Sequence, residues 1–66
     1  MSSEILETRD RILETTVRLL EEHGGRGVRM GDIAKETGIS RQAVYLHFAS
    51  RADLLIAAVL YKGDQL

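Results

Sequence analysis

The chain has 66 residues, so it forms at most one small domain. It contains no cysteine and only two histidines, far apart in the sequence, which excludes a disulfide framework and leads us to expect no metal and no cofactor. Its net charge of −1 excludes a uniformly basic nucleic-acid binder, and its polar N-terminus and short apolar runs predict a soluble cytoplasmic protein that does not enter a membrane.

Helical periodicity begins in the first segment, where apolar residues recur at three-, four- or seven-residue steps. Ser3 and Thr8 are the candidates for the N-cap of this helix. Gly24 and Gly25 end it, because glycine readily adopts the left-handed conformation found just past a helix. The apolar stripe comprises Leu6, Leu13, Val17 and Leu20, with Ile12 and Leu19 widening it.

A second, short helix is predicted over about residues 30–37, after the glycine-rich segment "GGRGVR". Ile33 and Ala34 face inward, and Gly38 ends the helix. Ile39 then offers an apolar contact back onto it, as is typical of the residue that follows a left-handed cap.

The last two helices are marked by serine caps. Ser40 is a good N-cap for a third helix over about residues 41–48. Ser50 and Asp53 form an S-x-x-D capping box for a fourth helix, which continues to Gly63. No period-two run of useful length indicates a strand.

These elements predict an all-α fold, a small three-to-four-helix bundle of homeodomain-like type that contains a helix-turn-helix. We expect a three-helix core over residues 1–48, with the helix-turn-helix at about residues 30–48. Residues 49–66 form the fourth helix. The predicted core comprises Leu13, Val17, Leu20, Ile33, Ile39, Val44, Phe48, Leu54, Leu55 and Ala58.

The spacing within "IAKETGISRQAVYLHF" is typical of a helix-turn-helix. A small residue at Ala34 allows close approach of the two helices. Gly38, Ile39 and Ser40 form the turn, since glycine supplies a positive φ without a Cβ and serine caps the next helix. Similar spacings also occur in plain helical hairpins.

The third helix leaves polar side chains outside when Val44 and Phe48 face inward. The N-terminal part of such a helix meets base edges in the major groove of DNA. Arginine pairs bidentately with guanine and glutamine with adenine, whereas a small alanine allows close approach or a thymine-methyl contact. We therefore expect Arg41, Gln42 and Ala43 to contact bases.

Three neighbouring side chains are candidates for contacts with phosphate. Tyr45 and His47 can donate hydrogen bonds to phosphate oxygens, and Arg51 adds a cation at the start of the fourth helix. Tyr45 also fits a half-buried spacer, and His47 also fits a C-terminal residue stabilised by the helix dipole. For Arg9, a surface pairing within the first helix is favoured over a contact with DNA.

The segments "TRDRILETTVRLLEEHG" and "MGDIAKETGISRQAVYLHFASRADLL" resemble the N-terminal DNA-binding domain of the TetR family of bacterial one-component transcription regulators. "GISRQAVYLHFASRADLL" carries the most specific part of the match. The resemblance implies base contacts by Arg41, Gln42 and Ala43, and phosphate contacts by Tyr45, His47 and Arg51. It also implies a double-stranded, palindromic DNA operator as the partner.

The chain departs from the family pattern in two places. Where members often have a capping threonine before the second helix, this chain has Arg29, which keeps the phosphate contact but loses the neutral cap. Members also carry a longer C-terminal domain, through which they form homodimers and bind a small-molecule effector, and the resemblance implies that residues 49–66 start the connection to it. Because this chain ends at Leu66, the resemblance implies an isolated domain or fragment of a ligand-responsive repressor.

Two other classes of function compete with DNA binding. The apolar segment "LLIAAVLY" fits a protein–protein helical module. We expect several of Ile56, Val59, Leu60 and Tyr61 to face the C-terminal domain or another partner, because they are too many apolar residues for one side of a small domain. Residues 23–51 carry five basic against two acidic residues, which marks a face for an anionic partner but is also ordinary scatter. An enzyme is not expected, because no carboxylate pair, nucleophile–base set or phosphate-binding loop is present.

Overall fold

The computed structural model describes the backbone of residues 3–64 and the side chains of residues 7–61. Within this range it consists of four α-helices and one 3₁₀ turn and contains no strand, which confirms the all-α prediction. The elements are α1 (Ser3–His23), the 3₁₀ turn (Gly25–Gly27), α2 (Met30–Thr37), α3 (Arg41–His47) and α4 (Arg51–Asp64).

The predicted helix boundaries are close to the observed ones. Phe48 lies one residue beyond α3 as its C-cap, and α4 includes Gly63 and ends one residue later. The expectation of Thr8 as an N-cap is wrong, because α1 begins five residues earlier. The side chain of Ser3, the other candidate, lies outside the described residues.

The longest helix organises the bundle. α1 packs against both α2 and α4, and α2 packs against α3. Between residues 3 and 64 no single helix is long and apolar enough to cross a membrane; α3 and α4 together would meet that test of length and composition, but they are bent by 65° at the break between them.

The core combines residues from every α-helix. Six of the predicted core residues are buried, namely Leu13, Ile33, Val44, Phe48, Leu54 and Ala58. The other four, Val17, Leu20, Ile39 and Leu55, are partly buried and pack against this cluster. The buried set also contains Ile12, Thr16, Leu19, Val28, Met30, Ala34 and Thr37.

The turn between α2 and α3 has the geometry that its glycine predicts. Gly38 adopts φ 84° and ψ 27°, and its N–H donates to the carbonyls of Ala34 and Lys35 at 2.9 and 3.3 Å. The N–H of Ile39 donates to Ala34 at 3.0 Å, which completes a Schellman motif. These bonds satisfy the last carbonyls of α2 and set the direction in which α3 leaves.

Serine side chains cap the two helices that follow, as predicted. The Ser40 Oγ accepts a hydrogen bond from the N–H of Ala43 at 3.0 Å. The Ser50 Oγ accepts one from the N–H of Asp53 at 3.2 Å. Each bond satisfies a donor in the first turn that has no partner within the helix.

Polar side chains form hydrogen bonds between helices that the sequence pattern did not predict. Arg11 on α1 donates from Nη2 to the carbonyl of Thr37 at 2.8 Å, at the end of α2. The hydroxyl of Tyr61 donates to Oε1 of Glu14 at 3.0 Å and so ties α4 to α1. Tyr61 is also partly buried against the core, whereas Ile56, Val59 and Leu60, the other residues suspected of facing a further domain, are exposed.

We expect Phe48→Ala to destabilise the chain by about 3–5 kcal/mol, because it removes a buried aromatic ring and leaves a cavity. For a domain of this size that loss approaches the whole free energy of unfolding. Thermal unfolding followed by circular dichroism measures it. Leu46→Ala is the control, since Leu46 is 82% exposed on the same helix. Equal melting temperatures for the two variants would contradict the role of Phe48 in the core.

We expect Gly38→Ala to cost roughly 1–2 kcal/mol, because an L-residue with a Cβ is strained at this positive φ. Gly25→Ala is the matched control: Gly25 has no positive φ, and a Cβ there would meet no atom within 4 Å. Urea unfolding of both variants compares their stabilities. If the Gly25 variant loses as much as the Gly38 variant, the left-handed turn is not the cause.

Candidate nucleic-acid interface

The outer face of α3 is open to solvent over its whole length. Val44 is fully buried on the inner side, and Phe48, one turn later, is 5% exposed. Gln42, Tyr45 and Leu46 lie on the opposite side, at three- and four-residue spacing, and all are exposed. The helix is therefore held by the core on one side and left accessible to a partner on the other.

The three predicted base-contacting residues occupy the first turn of α3. Arg41 and Gln42 are exposed, and Ala43 is half-buried. Ala43 also supplies the N–H that Ser40 binds, so the position of this turn is fixed by the cap. The structure thus brings the three residues together at the exposed N-terminal end of the helix, as predicted; their contacts with bases stay a prediction.

Arg41 is turned toward α2 rather than straight outward. A Cβ built on Gly31 would lie 2.9 Å from its Nη2 atom, which shows that the guanidinium rests over the first turn of α2. The absence of a side chain at Gly31 is what makes this position possible. Arg41 therefore lies at the side of the exposed face, whereas Gln42 lies in its centre.

Arg29 stands at the start of α2, two residues before Gly31 in the sequence. It is the N-cap residue, it is exposed, and its side chain makes no capping hydrogen bond. The first turn of α2 also contains the exposed Asp32, which partly offsets the positive charge. The loss of the neutral cap expected from the sequence is thus confirmed, and a phosphate contact by Arg29 stays a prediction.

The remaining predicted phosphate-contacting residues differ in exposure. Tyr45 is 45% exposed. His47 is half-buried in the last turn of α3, where a cation interacts favourably with the helix dipole. This position is compatible with a phosphate contact and with stabilisation by the dipole.

Arg51 has backbone partners that the sequence did not predict. Its Nε donates to the carbonyl of Val28 at 2.7 Å, and its Nη2 donates to the carbonyl of Gly25. Both acceptors belong to the linker between α1 and α2 (residues 24–29, the linker). Two of its donors are therefore already engaged before any DNA is present.

Two features of the site were missed by sequence reasoning. Leu46 is 82% exposed and follows Gln42 by four residues, so it extends the same outer face. The four-residue spacing from Gln42 could have predicted that Leu46 lies on this face. The sequence also did not predict the contact of Arg9, whose guanidinium carbon lies 5.3 Å from the centroid of the Phe48 ring, at cation–π distance.

Within residues 7–61, the arginines around α3 form no ion pair with a carboxylate. The ion pairs found among the described side chains join Arg18 to Glu22 and Glu36, and His23 to Glu22. None of them uses Arg29, Arg41 or Arg51. The positive charge of the central segment therefore stays available at the surface around the exposed helix.

A second exposed surface lies on α4 and is apolar. Ile56, Val59 and Leu60 are each more than 60% exposed, and with Leu55 they line a shallow groove. This groove is the part of "LLIAAVLY" that the protein–protein hypothesis requires. It is separate from α3, so the two surfaces can be tested independently.

Comparison with known proteins supports one family. The model described as "Bacterial regulatory proteins, tetR family" matches residues 12–58. The uncharacterized HTH-type transcriptional regulator YerO of Bacillus subtilis is 42% identical over 55 residues, which make up 83% of this chain and 19% of that protein. The HTH-type transcriptional regulator AcrR of Shigella flexneri is 41% identical over 51 residues, 77% of this chain and 24% of AcrR.

A third relative, the HTH-type transcriptional regulator SAB2452 of Staphylococcus aureus, is 39% identical over 54 residues, 82% of this chain and 29% of its own length. The chain thus spans less than a third of the length of these curated relatives. No solved structure matches it. Because the family match at residues 12–58 contains α2, the turn and α3 in full, the chain belongs to the tetR family of bacterial regulatory proteins.

Proposed function

We propose that the chain is the sequence-specific DNA-binding domain of a transcription regulator, with α3 as the helix that enters the major groove. The observation that carries this proposal is the exposure of Gln42, Tyr45 and Leu46 on a helix whose other side is anchored by buried residues. The names of the relatives, which are HTH-type transcriptional regulators, support the same function.

Within this proposal the base contacts come from the first turn and the outer face of α3. Gln42 pairs with adenine, and Ala43 allows the backbone to approach. Leu46 adds an apolar contact of the kind that thymine methyl groups accept. Arg41 contacts a guanine edge from the side of this face, once its guanidinium leaves Gly31.

The phosphate contacts lie around this face and fix its register on the duplex. Tyr45 and His47 donate hydrogen bonds from α3, and Arg29 supplies a cation at the start of α2. Arg51 supplies another at the start of α4 through whichever N–H groups the linker carbonyls leave available. None of these contacts distinguishes one base sequence from another.

In the full-length protein, resemblance to the family supports a homodimer on a palindromic operator, with two copies of α3 on adjacent half-sites. It also supports a repressor that responds to a small-molecule effector through a C-terminal domain and acts in the bacterial cytoplasm without catalysing a reaction. A single domain lacks the gain of about 10²–10⁴-fold that linked modules obtain, so we propose weak binding by this chain alone.

A protein–protein helical module is the second candidate, favoured by the exposed apolar groove on α4. A salt titration separates the two functions. DNA binding weakens with salt, with a logarithmic slope near −0.9 for each phosphate neutralised. Fluorescence anisotropy with a duplex enriched from a random DNA pool measures this slope. Self-association that is insensitive to salt, without affinity for any duplex, would favour the second candidate instead.

We expect Gln42→Ala and Arg41→Ala each to change base preference and to cost about 1–3 kcal/mol on the preferred duplex, if the lost contact is bidentate to a base. Competition binding with duplexes that differ at single positions measures the change. Equal weakening on every duplex would show that the replaced side chain does not contact bases.

Tyr45→Phe is the matched control, since it removes one hydroxyl from the same helix without a change of charge. Its expected effect is weaker binding with unchanged base preference, because phosphate contacts carry no direct sequence information. A changed preference in this variant would place Tyr45 among the base-contacting residues.

A further inference from the structure

Arg51 stands where an arginine is electrostatically unfavourable. It is the first residue of α4, and the positive end of a helix dipole disfavours a cation in the first turn. Its guanidinium instead donates hydrogen bonds to two carbonyl oxygens, those of Val28 and Gly25, whose partial negative charges stabilise the cation. The guanidinium fork is suited to this arrangement, since it holds several N–H donors in a fixed plane.

The linker that Arg51 binds is held locally by a 3₁₀ turn, in which the N–H of Gly27 donates to the carbonyl of Gly24 at 3.2 Å, and by the N–H of Gly24, which donates to the carbonyl of Leu20 at 2.8 Å. It contains three of the six glycines in the chain, which leave the backbone with wide conformational freedom. Val28 is fully buried and anchors one point of it. The start of α2 lacks a side-chain cap, so no hydrogen bond of that kind holds Arg29 in place.

The two hydrogen bonds of Arg51 connect this linker to a distant element. Arg51 lies 23 positions after Val28 and 26 positions after Gly25 in the sequence, so the bonds join the start of α4 to the segment just before α2. Val28, the acceptor of the Nε–H, is the residue immediately before Arg29. A displacement of Arg51 therefore acts directly on the backbone that carries Arg29.

We propose that Arg51 is a positioning residue for DNA binding: by holding the linker carbonyls it places Arg29 for its contact with a phosphate. This inference rests on the proposed function and assigns to Arg51 a role distinct from the direct phosphate contact expected from the sequence. Arg51 acts through the linker, and its charge alone is not sufficient.

A double-mutant cycle on the 66-residue chain tests the proposal, with the duplex enriched by the wild-type chain as the probe. Arg51→Lys keeps the positive charge but replaces two fixed donors by one mobile ammonium. We expect it to weaken binding about tenfold, comparable to Arg29→Gln, which is the scale of one charge-assisted hydrogen bond. The double variant is expected to bind no more weakly than Arg29→Gln alone.

Arg26→Lys is the matched control, since Arg26 is an exposed arginine of the same linker. Wild-type affinity in Arg51→Lys, or losses that add in the double variant, would overturn the proposal in favour of independent contacts. A lower melting temperature with unchanged affinity at a temperature where circular dichroism shows full helicity would also overturn it, because Arg51 would then serve stability alone.

A measurement on the wild-type chain covers the case in which a variant fails to fold. The Nε–H of Arg51 is expected to exchange with solvent more slowly than that of Arg26, as observed by nuclear magnetic resonance. Equal exchange rates would overturn the proposal without any DNA in the experiment. Failure of the wild-type chain to bind any duplex would instead be visible in the reference titration and would refute the proposed function itself.

Discussion

The packing of Val44 and Phe48 is the interaction on which the rest of this structure depends. α3 has only seven residues, and a helix of that length is not stable alone in water. It persists because two apolar side chains four residues apart are buried on one side, while Ser40 satisfies a donor of its first turn. The same burial determines which residues remain outside. The burial of this one face therefore determines both the stability of α3 and the surface that is proposed to contact DNA.

Hydrogen bonds from long polar side chains add to the stabilisation that this small core provides. Arg11 binds the end of α2, Arg51 binds the linker before it, and Tyr61 joins α4 to α1. In two of these hydrogen bonds a guanidinium on a long helix, that of Arg11 or Arg51, donates to a backbone carbonyl at the end of α2 or in the linker before it. The short helix α2 is consequently held at its end and just before its start by side chains that belong to the longer helices α1 and α4.

The fold could be predicted almost completely from the sequence, because its boundaries are encoded locally. Gly24 and Gly38 adopt the positive φ that ends α1 and α2, and Ser40 caps α3. What the pattern did not reveal depends on contacts between distant segments. Val28 lies outside any helix, so periodicity gives no indication of its burial, and the direction of the Arg51 side chain is determined by carbonyls more than 20 residues away. The candidate site likewise combines local features with contacts between segments. The exposure of Arg41 and Gln42 was predictable from helical spacing, whereas the position of Arg41 over Gly31 was not.

That position of Arg41 has a consequence for how the family can diversify. A guanidinium beside residue 31 leaves no room there for a Cβ unless one of the two side chains moves. Among relatives we would look for covariation between these sites, with glycine at 31 accompanying a long residue at 41 and bulkier residues accompanying a shorter one. A side chain at residue 31 would then displace the Arg41 guanidinium from α2 and change the position that it occupies before DNA is bound.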